Sequence, residues 1–144
     1  MNKILIGIKP DTVEGINNDL KLLVNIILPQ IRHVLKIEVD NFIILNNGKI
    51  NPQILASSNL ISHLYFGNKN RHSCIKNYSN RNWIFFRVKT SLTFAEINKL
   101  KPKLRKELKK YAIKSEHPAD NCIHISDSAE SAEREILLFK NYSK

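Results

Sequence analysis

The sequence predicts a single-domain α/β or α+β sandwich, 1–144, and three observations predict it. A chain of 144 residues is one domain of ordinary size with enough material for a core. Hydrophobic residues at 42% and charged residues at 25% match a soluble globular chain. Short β-branched runs alternate along it with segments of helical periodicity, the pattern of strands and helices packed as layers.

Ile4-Leu5-Ile6-Gly7-Ile8 is a continuous apolar run, as expected of a strand buried on both faces. Pro10 ends it, because proline cannot donate to a ladder. From Asn18 the pattern turns helical, with Leu20, Leu23, Ile27 and Ile31 in step, and Pro29 is expected to kink or split this helix. Leu35 to Leu45 reads as a second strand, closed by turn chemistry at Asn46-Asn47-Gly48. Residues 51–65 read as a weak helix, and 67–82 as basic loop with room for one short helix. Trp83 to Val88 is the third strand. Phe94 to Tyr111 is an amphipathic helix with a break expected near Pro102, and Asn121 to Ile125 a last short strand. Ser128 to Phe139 closes the chain as its clearest helix. Asp127 and Glu130 fit a capping box there, and Ala129, Ala132, Ile136 and Phe139 form its apolar stripe.

Several classes are excluded. No run approaches the roughly 18 apolar residues of a membrane span, and the N-terminus lacks a signal-peptide centre. Two cysteines, Cys74 and Cys122, make neither a disulfide framework nor a zinc signature. A cytoplasmic protein with no membrane partner is the expectation. The formal charge of +10 invites polyanions, nucleic acid among them. Lysine outnumbers arginine 17 to 6, so part of this surplus also fits compositional drift. Its position is more telling, since residues 99–114 alone carry +7.

Lys9 stands at the end of the first strand, placed either to meet an anionic ligand or to snorkel to solvent. His124 falls between a strand and a helix N-terminus, beside Ser126 and Ser128, where unpaired N–H groups suit an anion. A histidine there can attack a phosphoryl group if one ring nitrogen is held and the other left to react. Glu135 is the carboxylate that could hold it. The alternative is a capped helix beside a satisfied core histidine.

NCIHISDSAESAEREILLF resembles the signature of the nucleoside diphosphate kinases, N-x-x-H-G-S-D-S-x-E-S-A-x-x-E-I, and ILIGIKPDTV resembles that family's N-terminal strand ending in I-K-P-D. The resemblance implies a ferredoxin-like α+β fold, a four-stranded antiparallel sheet with helices packed on one face. It implies a phosphotransferase that moves the terminal phosphate of a nucleoside triphosphate to a diphosphate through phospho-His124, with Mg²⁺ arriving on the nucleotide. Glu135 then orients the ring, Ser126 supports it, Lys9 binds the transferring phosphate and Asn121 contacts the sugar. Tyr65 and Arg105 correspond to the family's phosphate-side tyrosine and arginine, and Lys99 or Lys101 lies near the place of a second arginine.

The sequence departs from the pattern in three places. Ile125 replaces the glycine after the nucleophile. The base-stacking Pro-Phe-Phe segment has no counterpart, leaving Phe66 or Tyr78 as stand-ins. The Gly-x-Thr-Asn-Pro loop is missing. That shortening overlaps the loop through which many members build hexamers, so the resemblance implies a dimer-based homo-oligomer instead. Two other readings stand beside the enzyme: a nucleotide-binding module of this fold without turnover, and a basic nucleic-acid-binding protein.

Overall fold

The computed structural model describes residues 1–37, 42–50, 73–117 and 120–142. β1 (Asn2–Ile8) leads into a short helix α1 (Pro10–Gly15), which ends as Asn17 and Asn18 turn the chain in the left-handed conformation. α2 (Leu20–Leu22) widens into a π-helical stretch (Leu23–Ile27) and continues as α3 (Leu28–Leu35). Pro29 thus falls where one helical element gives way to the next, as the sequence predicts. It occupies the first turn of α3, where the wider turn before it makes no demand on the missing N–H. Of the predicted stripe, Leu23, Ile27 and Ile31 are buried and Leu20 is exposed.

β2 (Ile43–Lys49) starts later than expected, since Leu35 closes α3. Asn46-Asn47-Gly48 pairs inside β2 rather than ending it, because a register shift between Ile44 and Asn46 absorbs one residue and Gly48 takes φ 145°. Residues 73–78 form helix α4. β3 (Asn82–Thr90) follows, then α5 (Phe94–Leu108) with a 3-10 turn at Lys109–Tyr111. α5 begins on a capping box made by Thr93 and Glu96, and runs through Pro102 without the expected break. Buried Ile97, Leu104 and Leu108 pin both halves of α5 to one core. β4 (Ile123–Ile125) and α6 (Ala129–Tyr142) complete the chain. Ser128, not Asp127, caps α6, its Oγ accepting the Ser131 N–H at 3.1 Å. Ala132 and Phe139 are buried in its stripe, whereas Ala129 is exposed. The predicted helix over 51–65 lies outside the described residues.

The sheet has the order β2-β3-β1-β4 with every pairing antiparallel. Its first face carries Ile4, Ile6, Ile8, Ile84, Phe86 and Val88 against α3 and α5. Its second face carries Leu5, Trp83 and Phe85 against Cys74 and Tyr78 of α4 and Phe139 of α6. The antiparallel sheet under helices is as the sequence predicts, but the cover is on both faces, not one. The cause is the one that makes β1 a continuous apolar run: a strand without polar alternation has two faces to bury. On the second face the rings form a ladder. Tyr78 meets Trp83 edge-on at 4.7 Å, Trp83 stacks on Phe85 at 5.1 Å, and Phe85 on Phe139 at 4.0 Å.

Candidate active site

The second face holds the centre of the candidate site, because alternation along β1 and β4 turns Lys9, His124 and Ser126 there. Gly7 pairs with His124 across β1 and β4, and His124 sits between Ile123 and Ile125, which turn to the first-face core. Ser126 follows on the same side. α6 then returns over this face and delivers Glu135, only 2% exposed. His124 Nε2 bonds Glu135 Oε1, and Ser126 Oγ donates to Glu135 Oε2 at 2.9 Å. Ser126 is anchored in turn by the Leu5 N–H, which donates to its Oγ at 2.9 Å. An ionised carboxylate only accepts, so the proton of this bond sits on Nε2, and in the neutral ring the lone pair is then on Nδ1. The His124 side chain retains 15% of its exposure, enough for a ligand to reach it.

Gly7 makes room for this arrangement. A Cβ there would lie 2.6 Å from Phe85 Cε1 and 3.5 Å from the Cβ of His124.

Lys9 ends β1 with its N–H bonded to Cys122 O at 3.0 Å, so it adjoins the start of β4. Its ammonium is buried, donates to Tyr78 Oη at 2.9 Å and stands 5.3 Å from the centre of that ring. Burial first, and the charge of Arg105 second, depress its pKa to about 7. Arg105 projects from α5 and its Nη2 reaches Ile123 O at 3.4 Å. With Asp11, Lys109, Lys114, Asp120 and Asn121 it lines a cavity of about 880 Å³. Asn121 Oδ1 is a buried acceptor with no donor among the described residues.

The cavity wall is braced. Asp120 accepts from Asn77 at 2.9 Å, Arg81 at 3.1 Å and Ser115 at 2.7 Å, and Arg81 also grips both carboxylate oxygens of Glu14. Asp11 is buried and accepts the Cys122 N–H at 3.1 Å, holding Cys122 in a left-handed conformation, φ 75°. Burial, aided by the charge of Asp120, raises the Asp11 pKa.

No family model and no curated protein matches the sequence. Solved structures do. The nucleoside diphosphate kinase of Aquifex aeolicus superposes with a TM-score of 0.58 at 18% identity, over 95% of this chain and 93% of that one. The fold is that of the nucleoside diphosphate kinases. The Encephalitozoon cuniculi nucleoside diphosphate kinase gives 0.58 at 18% identity over 96% of this chain and 88% of that one, and a nucleoside diphosphate kinase family protein of Babesia bovis gives 0.55 at 17% over 96% and 87%.

Of the residues singled out by resemblance to nucleoside diphosphate kinases, His124, Ser126 and Glu135 form one hydrogen-bonded unit, and Arg105 and Asn121 share a cavity beside β4. Lys9 adjoins them, close enough to feel Arg105. Tyr65 lies outside the described residues, as does Phe66. Tyr78 is not a base platform, being 1% exposed and committed to Lys9. Sequence reasoning missed that role, and it also left Lys101 undistinguished from Lys99. Lys101 is buried, only 6% exposed. Burial depresses its pKa, opposed by Asp127, with Arg105 and Glu135 both near enough to act on it. The readable signal was its position four residues before Arg105, on one helix face.

Proposed function

We propose that the chain is a nucleoside diphosphate kinase-like phosphotransferase working through phospho-His124. The observation that carries this reading is the Ser126–Glu135–His124 relay, which fixes the ring and directs Nδ1 to react. Nδ1 attacks the terminal phosphorus of a Mg²⁺-bound nucleoside triphosphate. An N–P bond forms, the bond from phosphorus to the bridging oxygen breaks, and the diphosphate leaves with that oxygen. A second diphosphate then attacks the phosphohistidine through a terminal oxygen and restores the ring. Glu135 stabilises the positive charge the ring acquires, and Ser126 keeps the carboxylate aimed. Lys9, Arg105 and Lys101 supply cationic charge to the phosphate oxygens, as phosphoryl transfer requires. Asn121 Oδ1 accepts from a sugar hydroxyl. Mg²⁺ comes with the substrate, and no group of carboxylates or histidines suited to a resident ion occurs among the described residues.

One observation favours the module without turnover: Tyr78, the stand-in for base stacking, is buried under Lys9. Incubation with ATP labelled in its terminal phosphate separates the two. The enzyme reading expects acid-labile, alkali-stable label that a nucleoside diphosphate discharges, none in His124→Ala, and a rate about a hundredfold lower in Glu135→Gln. Label that no diphosphate removes would establish the module instead. Exposed Ile43 and Ile44 on the outer strand β2 suit a homodimer contact, checked by sedimentation equilibrium of Ile44→Lys.

A further inference from the structure

The helix α5 sorts its positive charges into two sets. Lys101 and Arg105 turn inward beside the core stripe Ile97, Leu104 and Leu108 and are at least partly buried. Lys99, Lys103 and Lys106 are exposed, and at about 100° per residue they fall within roughly 60° of arc; Lys109 and Lys110 are exposed on the 3-10 turn that follows. Three of them, Lys103, Lys106 and Lys110, form one wall of a groove of about 820 Å³, whose other wall is Pro29, Gln30 and His33 of α3. Among the described residues Glu107 is the one acid lining it. The groove is distinct from the phosphate cavity but adjoins it, since Lys106 lines both.

We infer that this groove binds the sugar-phosphate backbone of a single-stranded nucleic acid. The lysines from 103 to 110 span about 10 Å along the helix axis, several charges in a row rather than a point site. Such a row neutralises successive phosphates of one strand, and because the lysines stand on one wall only, the groove offers charge to a single backbone and not to the two backbones of a duplex. A lipid surface fits less well, because among the described residues none of the exposed large apolar side chains lines the groove to enter a bilayer. Tyr111 beside it is half-buried, with Lys110 5.1 Å from its ring centre, and among the described residues no aromatic lines the groove as a platform for bases. Binding is therefore through phosphates and indifferent to sequence. It does not rest on phosphotransfer at His124.

Fluorescence anisotropy with end-labelled 12-mers of dT and rU, over a series of salt concentrations, tests this. With three lysine contacts the slope of log K against log salt is about −2, and Lys103→Ala/Lys110→Ala reduces its magnitude by about 1.4. Labelling of His124 by ATP stays unchanged in that variant. Absence of binding at low salt would overturn the inference. So would an unchanged slope in the double variant, equal affinity for a duplex of the same length, or retention on phosphatidylserine vesicles without oligonucleotide binding.

Discussion

Lys9 sits where burial works against its charge, and that gives it a functional pH range. With a pKa of about 7, set by burial and then by Arg105, the ammonium loses its proton as pH rises through neutrality. Phosphate binding that depends on it therefore weakens between about pH 6 and 8. We expect the labelling rate at sub-saturating ATP to fall over that range, and Arg105→Ala to move the midpoint upward. A flat profile in the wild type would remove Lys9 from the site. For stability the sense is reversed: the unfolded chain keeps that proton up to about 10.5, so the penalty is complete below about 7 and relieved as pH rises. Gly7 is constrained by space. Gly7→Ala places a methyl group against Phe85 and next to His124, and should cost about 1–3 kcal/mol in urea unfolding. His124, Ser126 and Glu135 were legible because strand, turn and helix bring them together within a dozen residues. Tyr78 was not, since it lies 69 residues from Lys9 and meets it only through the sheet. Lys101 looks like any lysine of a basic run until Ile97, Leu104 and Leu108 fix which side of the helix faces inward.

Elements were legible where the pattern is pure and misread where one residue type was trusted too far. β1 and β3 are continuous apolar runs, and both appear as the central strands. Of the two helix breaks expected at proline, the one at Pro29 coincides with the start of α3 and the one at Pro102 is absent. Pro29 stands in a first turn that tolerates it, and Pro102 stands inside α5, where its missing N–H leaves the Asn98 carbonyl without its helical donor. Core burial on either side of Pro102 outweighs that loss. Pro102→Ala should therefore stabilise the protein by about 1–2 kcal/mol after allowing for the looser unfolded chain, measured as an increase in Tm. A decrease would mean that the helix is shaped around the proline. The capping box Thr93-x-x-Glu96 was readable and passed over, whereas the one expected at Asp127 gave way to Ser128, a residue nearer the first turn. Asn46-Asn47-Gly48 has the composition of a turn, yet pairing with β3 outweighs local preference.

Taken whole, the described molecule is a sheet with a mostly aliphatic core on one side and an aromatic one on the other, and the proposed phosphotransfer belongs to the aromatic side. Cover on one face alone would have left Glu135 unable to reach His124. The net charge of +10 surrounds this site with a field that attracts polyphosphates, so the association rate with ATP should fall several-fold between about 20 and 300 mM salt. A rate insensitive to salt would mean that the field does not reach the cavity mouth. The ring ladder provides the means to watch it. Trp83 is the only tryptophan in the chain, and it touches Tyr78, which holds Lys9, and Phe85, which stacks on Phe139 of the helix that carries Glu135. A phosphate that draws the ammonium away from the phenol changes the surroundings of the indole's nearest neighbour. Its emission is then a built-in optical signal for ligand arrival, requiring no dye.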